Sequence, residues 1–169
     1  YFILRLAELT ASHDVGKAGI TDDLAKRIIE VLKKHGKVYI TSERPLRSEF
    51  EPYRLNIHPR DIFHVLNFAD LYIGDSQTMA AEAAVLATPA IRFNDFVGQL
   101  GYLEELENMY GLTFGIKTQE EDKLFEKINE VLSMRSRKDF WKNKQKIMLV
   151  EKEDVCLFIE KIILENMKR

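Results

Sequence analysis

In the stretch "GDSQTMAAEAAVLATPAIRF", residues 74 to 93, the small corner Gly74, Asp75 and Ser76 runs straight into a helix-like segment of Ala, Met, Val and Leu with one carboxylate, Glu82. A helix N-terminus presents unpaired N–H groups and partial positive charge, so a phosphate placed there gains hydrogen bonds and dipole energy together. Ser76 offers a capping side chain or a hydroxyl for a phosphate oxygen, and Gln77 and Thr78 offer the next amides. Glu82 follows Ser76 by six residues, roughly one and two-thirds turns, within reach of a sugar hydroxyl when a diphosphate crosses the helix start. The same residues also suit an ordinary Ser-capped core helix, so spacing alone leaves both readings open.

Other reactive side chains are sparser. His13 and Asp14 are a base with an orienting carboxylate, or two residues stabilising a loop. His58 and His64 bracket a helix start without a third ligand, and no Cys/His cluster has the spacing of a zinc site, so no metal and no cofactor is assigned. Lys17 with Gly16 and Gly19 lacks the spacing of a phosphate-binding P-loop. In "MRSRKDFWKNKQK" the many Lys and Arg residues read as a solvated helical surface, with contact to phosphates or a membrane face as the alternative, and Phe140 and Trp141 as pinning that segment to the body or to a neighbouring domain. A net charge of −2 gives no global field for nucleic acid, and no apolar run reaches the length of a membrane span. The single cysteine, Cys156, cannot form an internal disulfide, which fits a reducing, cytoplasmic setting.

The elements that must position the corner follow an alternation. "YFILRL" reads as a strand and "DDLAKRIIEVLKKHG" as a helix, with Asp22 and Asp23 at its start and Gly36 as a left-handed cap. "KVYIT" is the second strand and "YRLNI" a short, half-exposed third. Pro59 presets the first helical position of "RDIFHVLNFA", and "DLYIGD" is the fourth strand. After the Ala-rich helix come the strand "TPAIRF", a helix closed by Gly111, and the strand "LTFGI". From Thr118 onward the pattern is helical, ending in "DVCLFIEKIILENMKR". The expected fold is α/β: one Rossmann-like domain over residues 1–169, doubly wound, with a mostly parallel sheet of about six strands, helices on both faces and a helical C-terminal tail. Ligands of such sheets bind beyond the carboxyl ends of the strands, which directs attention to the Gly74 corner.

The corner together with "LTASHDVGKAGIT" resembles the C-terminal half of GT-B-fold proteins: the UDP-N-acetylglucosamine 2-epimerases and related uncharacterised GT-B-like proteins of archaea and bacteria. There the motif is Asp-Ser-Gly-Gly-x-x-x-Glu before a small-residue helix, with a histidine after the first strand. The resemblance implies that Ser76 and the amides of Gln77 and Thr78 hold a diphosphate, Glu82 a ribose, and that His13 acts near the diphosphate or the sugar. It further implies that Ile57, His58 and Phe63 border the base and that Arg92 points toward the cleft. Gln77 and Thr78 replace the Gly-Gly, and "SHDVGK" lacks two arginines of the epimerase loop, which argues against epimerase chemistry. The expected function is therefore the UDP-sugar-binding half of a glycosyltransferase- or epimerase-like protein whose N-terminal domain lies outside this sequence. This half alone is expected to be inactive, and a homo-oligomer is compatible with it. The competing expectation is a non-catalytic α/β module that docks a partner domain or chain.

Overall fold

The computed structural model describes residues 1–8 and 16–167 of the chain. Five short segments rich in β-branched and aromatic residues form strands: β1 (Phe2–Leu6), β2 (Val38–Ser42), β3 (Leu71–Gly74), β4 (Ala90–Phe93) and β5 (Thr113–Ile116). All pair in parallel in the order β2-β1-β3-β4-β5. The nearly continuous burial of β1, β3 and β4 is what a sheet covered on both faces requires.

Parallel pairing forces crossover helices between the strands. These are α1 (Asp22–Leu32), α2 (Ile62–Phe68), α3 (Gln77–Val85) and α4 (Gly101–Asn108), followed by α5 (Glu121–Ser133). Helices α2, α3 and α4 lie side by side on one face. On the other, Arg27 of α1 pairs with Glu121 and stacks on Phe125 of α5, 4.7 Å from the ring centre. The core lies between these layers: Ile3, Leu4, Ile73 and Ile91 from the strands, Leu24, Ile28 and Leu32 from α1, and Ala80, Ala83 and Ala84 from α3. Small residues on the inner side of α3 let its backbone approach the sheet closely.

The expected third strand, "YRLNI", is reduced to a single parallel bridge between Ile40 and Arg54, so the sheet has five strands rather than about six. The cause is local. A 3-10 helix (Ser48–Tyr53) with Pro52 inside it runs up to this segment, and the Arg54 amide is spent on Glu51 O at 3.1 Å, leaving Leu55 N to reach Ile40 O at 2.8 Å. Counting that bridge as a rudimentary strand gives the Rossmann order 3-2-1-4-5-6. Gly111 does close α4 in the left-handed region at φ 59, but Gly36 is not left-handed. Gly36 is instead confined by the Phe2 ring, 3.3 Å from where a Cβ would stand.

Two further helices form the tail. α6 (Arg137–Glu151) straps the amino edge of the sheet, where Trp141 Nε1 donates to Leu112 O at 3.0 Å and Gln145 Nε2 to Val85 O at 2.6 Å. Trp141 is buried, edge-on to Phe114 and Phe140, so the expected anchoring of this basic segment holds. α7 (Val155–Met167) extends beyond it with every residue exposed.

Candidate functional site

Helices α2, α3 and α4 begin at the carboxyl edge of the sheet, and one residue near the start of each, Phe63, Thr78 and Tyr102, lines a common cavity. The switch in strand order falls between β1 and β3, which places the Gly74 corner at the crevice where doubly wound sheets hold ligands. Asp75 builds that corner. Its buried carboxylate accepts from Ala7 N at 2.6 Å and Ile20 N at 3.1 Å, tying the end of β1 and the entry to α1 to the end of β3. Burial pushes the Asp75 carboxyl up to about 6 despite those N–H donors.

Ser76 is the N-cap of α3, its Oγ accepting from Met79 N at 3.4 Å. Among the described residues the amides of Gln77 and Thr78 have no acceptor, as the first N–H groups of a helix do not. The Gln77 side chain turns inward, donating to Asn94 Oδ1 at 2.6 Å and accepting from Arg92 Nη1 at 3.4 Å. Asn94, fully buried, donates to Asp75 O at 3.1 Å, so strands β3 and β4 hold the helix start in one fixed pose.

Beside this start opens a cavity of about 420 Å³, lined by Phe63, Thr78, Ala81, Glu82, Val85, Leu86 and Tyr102. Its floor is the outward stripe of α3 at positions 78, 81, 82 and 85, and its walls are the half-exposed rings of Phe63 from α2 and Tyr102 from α4. The lining is apolar apart from Thr78 and Glu82. Partial burial raises the Glu82 carboxyl above its ordinary value, and the Arg5 guanidinium opposes the rise. The Ala-rich helix is thus apolar on two sides for two reasons: one packs on the sheet, the other floors an open groove.

The structure therefore gathers Phe63, Thr78 and Glu82 around one cavity, with Ser76 and Gln77 at its head. Ile57 lies in the preceding loop outside that lining, and His58 is exposed, its Nδ1 accepting from Arg60 N at 3.3 Å as the cap of a short 3-10 turn (Pro59–Asp61). Arg92 does not open to the groove: it is fully buried and held by Glu104 at 3.2 Å and Glu107 at 2.7 Å. His13 lies outside the described residues. Sequence reasoning missed Asp75 as a structural tie, Tyr102 as a wall, and Arg5, whose one visible signal was a charge inside the apolar run "FILRL". Among the described residues no His, Cys, Asp and Glu are grouped so as to hold a metal, and no helix is long and apolar enough to cross a membrane.

No family model and no curated protein matches the sequence. Among solved structures, the crystal structure of the glycotransferase of kitacinnamycin is similar with a TM-score of 0.52 and 14% identity, over 85% of this chain and 38% of that one. The chain thus spans well under half the length of that relative. At such identity the likeness shows the fold alone, a GT-B-like α/β domain, and it does not extend to the epimerase side of the resemblance.

Proposed function

We propose that this chain is the nucleotide-sugar-binding half of a GT-B-type glycosyltransferase or sugar-epimerase-like protein, taking a UDP-sugar or a related donor. The observation that carries this reading is the juxtaposition of unpaired amides at the start of α3 with an open groove holding Glu82 one and a half turns further on. On it, the diphosphate lies on the amides of Gln77 and Thr78 and on Ser76, the Glu82 carboxylate accepts from ribose hydroxyls, and Phe63 borders the base. Arg92, Asn94 and Gln77 keep the helix start rigid, so the donors need no rearrangement when charge develops on the leaving diphosphate. His13 supplies a proton or hydrogen bond to the leaving group, and the acceptor and remaining acid/base groups come from a second domain. The partial coverage of the glycotransferase supports that arrangement.

Thermal unfolding of the chain with UDP, UDP-sugars and control nucleotides tests this. A ligand at about 100 times its Kd adds roughly 2.7 kcal/mol, which for a domain of this size raises Tm by roughly 5–10 °C. Glu82→Gln is expected to weaken binding about tenfold. The apolar lining of the groove favours one other reading, a surface that docks a partner domain without catalysis, and that reading expects no shift with any nucleotide.

A further inference from the structure

Helix α7 begins after a short link at residues 152–154, and every residue of it is exposed. Val155, Phe158, Ile159, Ile162 and Ile163 recur at steps of three and four, so they form one apolar stripe along the helix, and each is 42–65% exposed. Glu160 and Lys161 fall on the far side. Helices with this pattern are ordinarily seated on a hydrophobic surface, yet α7 supplies nothing to the core or to the side chains packed against it.

The amount of surface left in water limits what can cover it. With Leu157, Leu164 and Met167 included, the exposed fractions correspond to roughly 800 Å² of apolar residues, more than the largest apolar patch of about 300–600 Å² on ordinary monomers and equal to what one partner brings to a standard interface. A lipid surface calls for Lys and Arg along the polar side of such a helix, whereas α7 carries Glu160 and Glu165 against Lys161. A second copy of the chain needs no further sequence. Phe158, Ile159, Ile162 and Ile163 are symmetric about the midpoint between residues 160 and 161, and no charged residue lies within the stripe. Two antiparallel α7 helices related by a two-fold axis there put Ile159 level with the partner's Ile162, and Phe158 level with the partner's Ile163.

We infer that α7 is a dimerisation helix, pairing two copies of the chain through this stripe about a two-fold axis. Such a contact is isologous and closes on itself, so it yields a dimer rather than a filament. The end of α6 fixes the base of α7 against α4: Glu151 accepts from Tyr110 Oη at 2.9 Å, and Lys152 pairs with Glu105. No residue of α7 lines the groove beside α3, so the pairing and the proposed nucleotide site are independent. One helix of 13 residues from each copy makes a weak dimer, with a Kd on the order of 10–100 μM.

Sedimentation equilibrium from micromolar to millimolar concentration tests the inference in the parent, Ile162→Lys and Leu157→Lys. The parent is expected to pass from monomer to dimer and no further. Ile162→Lys puts two charges at the centre of the pairing and is expected to weaken it at least tenfold, whereas Leu157→Lys, on the opposite side of the helix, keeps Kd within about threefold. Thermal unfolding at a few micromolar, where the parent is mostly monomer, is expected to give one Tm for all three chains, so a lost dimer is not a lost fold. A parent that stays monomeric, growth past the dimer, a dimer that survives Ile162→Lys, or one that Leu157→Lys weakens equally overturns the assignment. So does binding of a monomeric parent to phosphatidylglycerol vesicles that Ile162→Lys abolishes, which would make the stripe lipid-facing. Any response to UDP is expected to be the same in all three chains, so failure of the pairing leaves the nucleotide-sugar reading untouched.

Discussion

Asp75 shows what one residue contributes at this corner. A carboxylate that ties two backbone N–H groups across the switch point also lies away from water, and burial outweighs the donors, so its folded-state value of about 6 exceeds the ordinary 3.8. A raised value means that the folded chain holds this proton more tightly than the unfolded one. The stabilisation it brings is complete below about pH 4, and it is lost as pH rises through about 6. Groups at its flanks set the local field: Arg44 favours the ionised form, and Tyr72 on the same strand feels the charge as an unfavourable neighbour. Asp75→Asn removes the titration while keeping an oxygen acceptor. Denaturant unfolding from pH 4 to pH 7 is therefore expected to show the parent losing stability relative to Asp75→Asn, by on the order of 2–3 kcal/mol. A constant difference across that range would mean that Asp75 stays ionised throughout.

At the scale of elements, the alternation of strand and helix was legible because each segment carries a local cause: Asp22 and Asp23 at the start of α1, Ser76 before α3, and Gly111 after α4. What was not legible depended on backbone bonding and packing that composition does not display. "YRLNI" has strand-like composition, yet Pro52 and the amide spent on Glu51 leave it one bridge. The site divides the same way. Thr78 and Glu82, expected together from the resemblance, do line one groove because they share a helix face, whereas Tyr102 joins the groove only because α4 packs beside α3, and Arg92 is withdrawn from it by two carboxylates of α4. The α6 strap was legible through its aromatic pair, and Trp141 is the residue that fastens it. Trp141→Ala removes a fully buried ring and the bond to Leu112 O, which is expected to cost about 3–5 kcal/mol. Chemical denaturation would read the loss, and the nucleotide binding proposed at the start of α3, at the opposite edge of the sheet, should be unchanged while the chain is folded.

For the whole molecule, the contrast between α6 and α7 separates what folds the domain from what surrounds it. α6 closes the amino edge with a buried tryptophan and side-chain bonds to four carbonyls from α2 onward, those of Phe68, Val85, Gly111 and Leu112. α7 carries Val155, Leu157, Phe158, Ile159, Ile162, Ile163, Leu164 and Met167, all exposed, and contributes nothing to the buried core. Apolar surface that stays in water when the chain folds adds no hydrophobic stabilisation, whatever its area. Ending the chain after Glu153 is therefore expected to leave Tm within about 1–2 °C of the parent, the scale of a surface change of roughly 0.5 kcal/mol. The rise in Tm proposed for added nucleotide should be equally unaffected. Because a contiguous exposed apolar patch promotes association, the shortened chain should also sediment with less concentration dependence than the parent. A large fall in Tm would show that α7 packs on the body in solution, and the division between a self-sufficient sheet domain and an appended apolar helix would then be wrong.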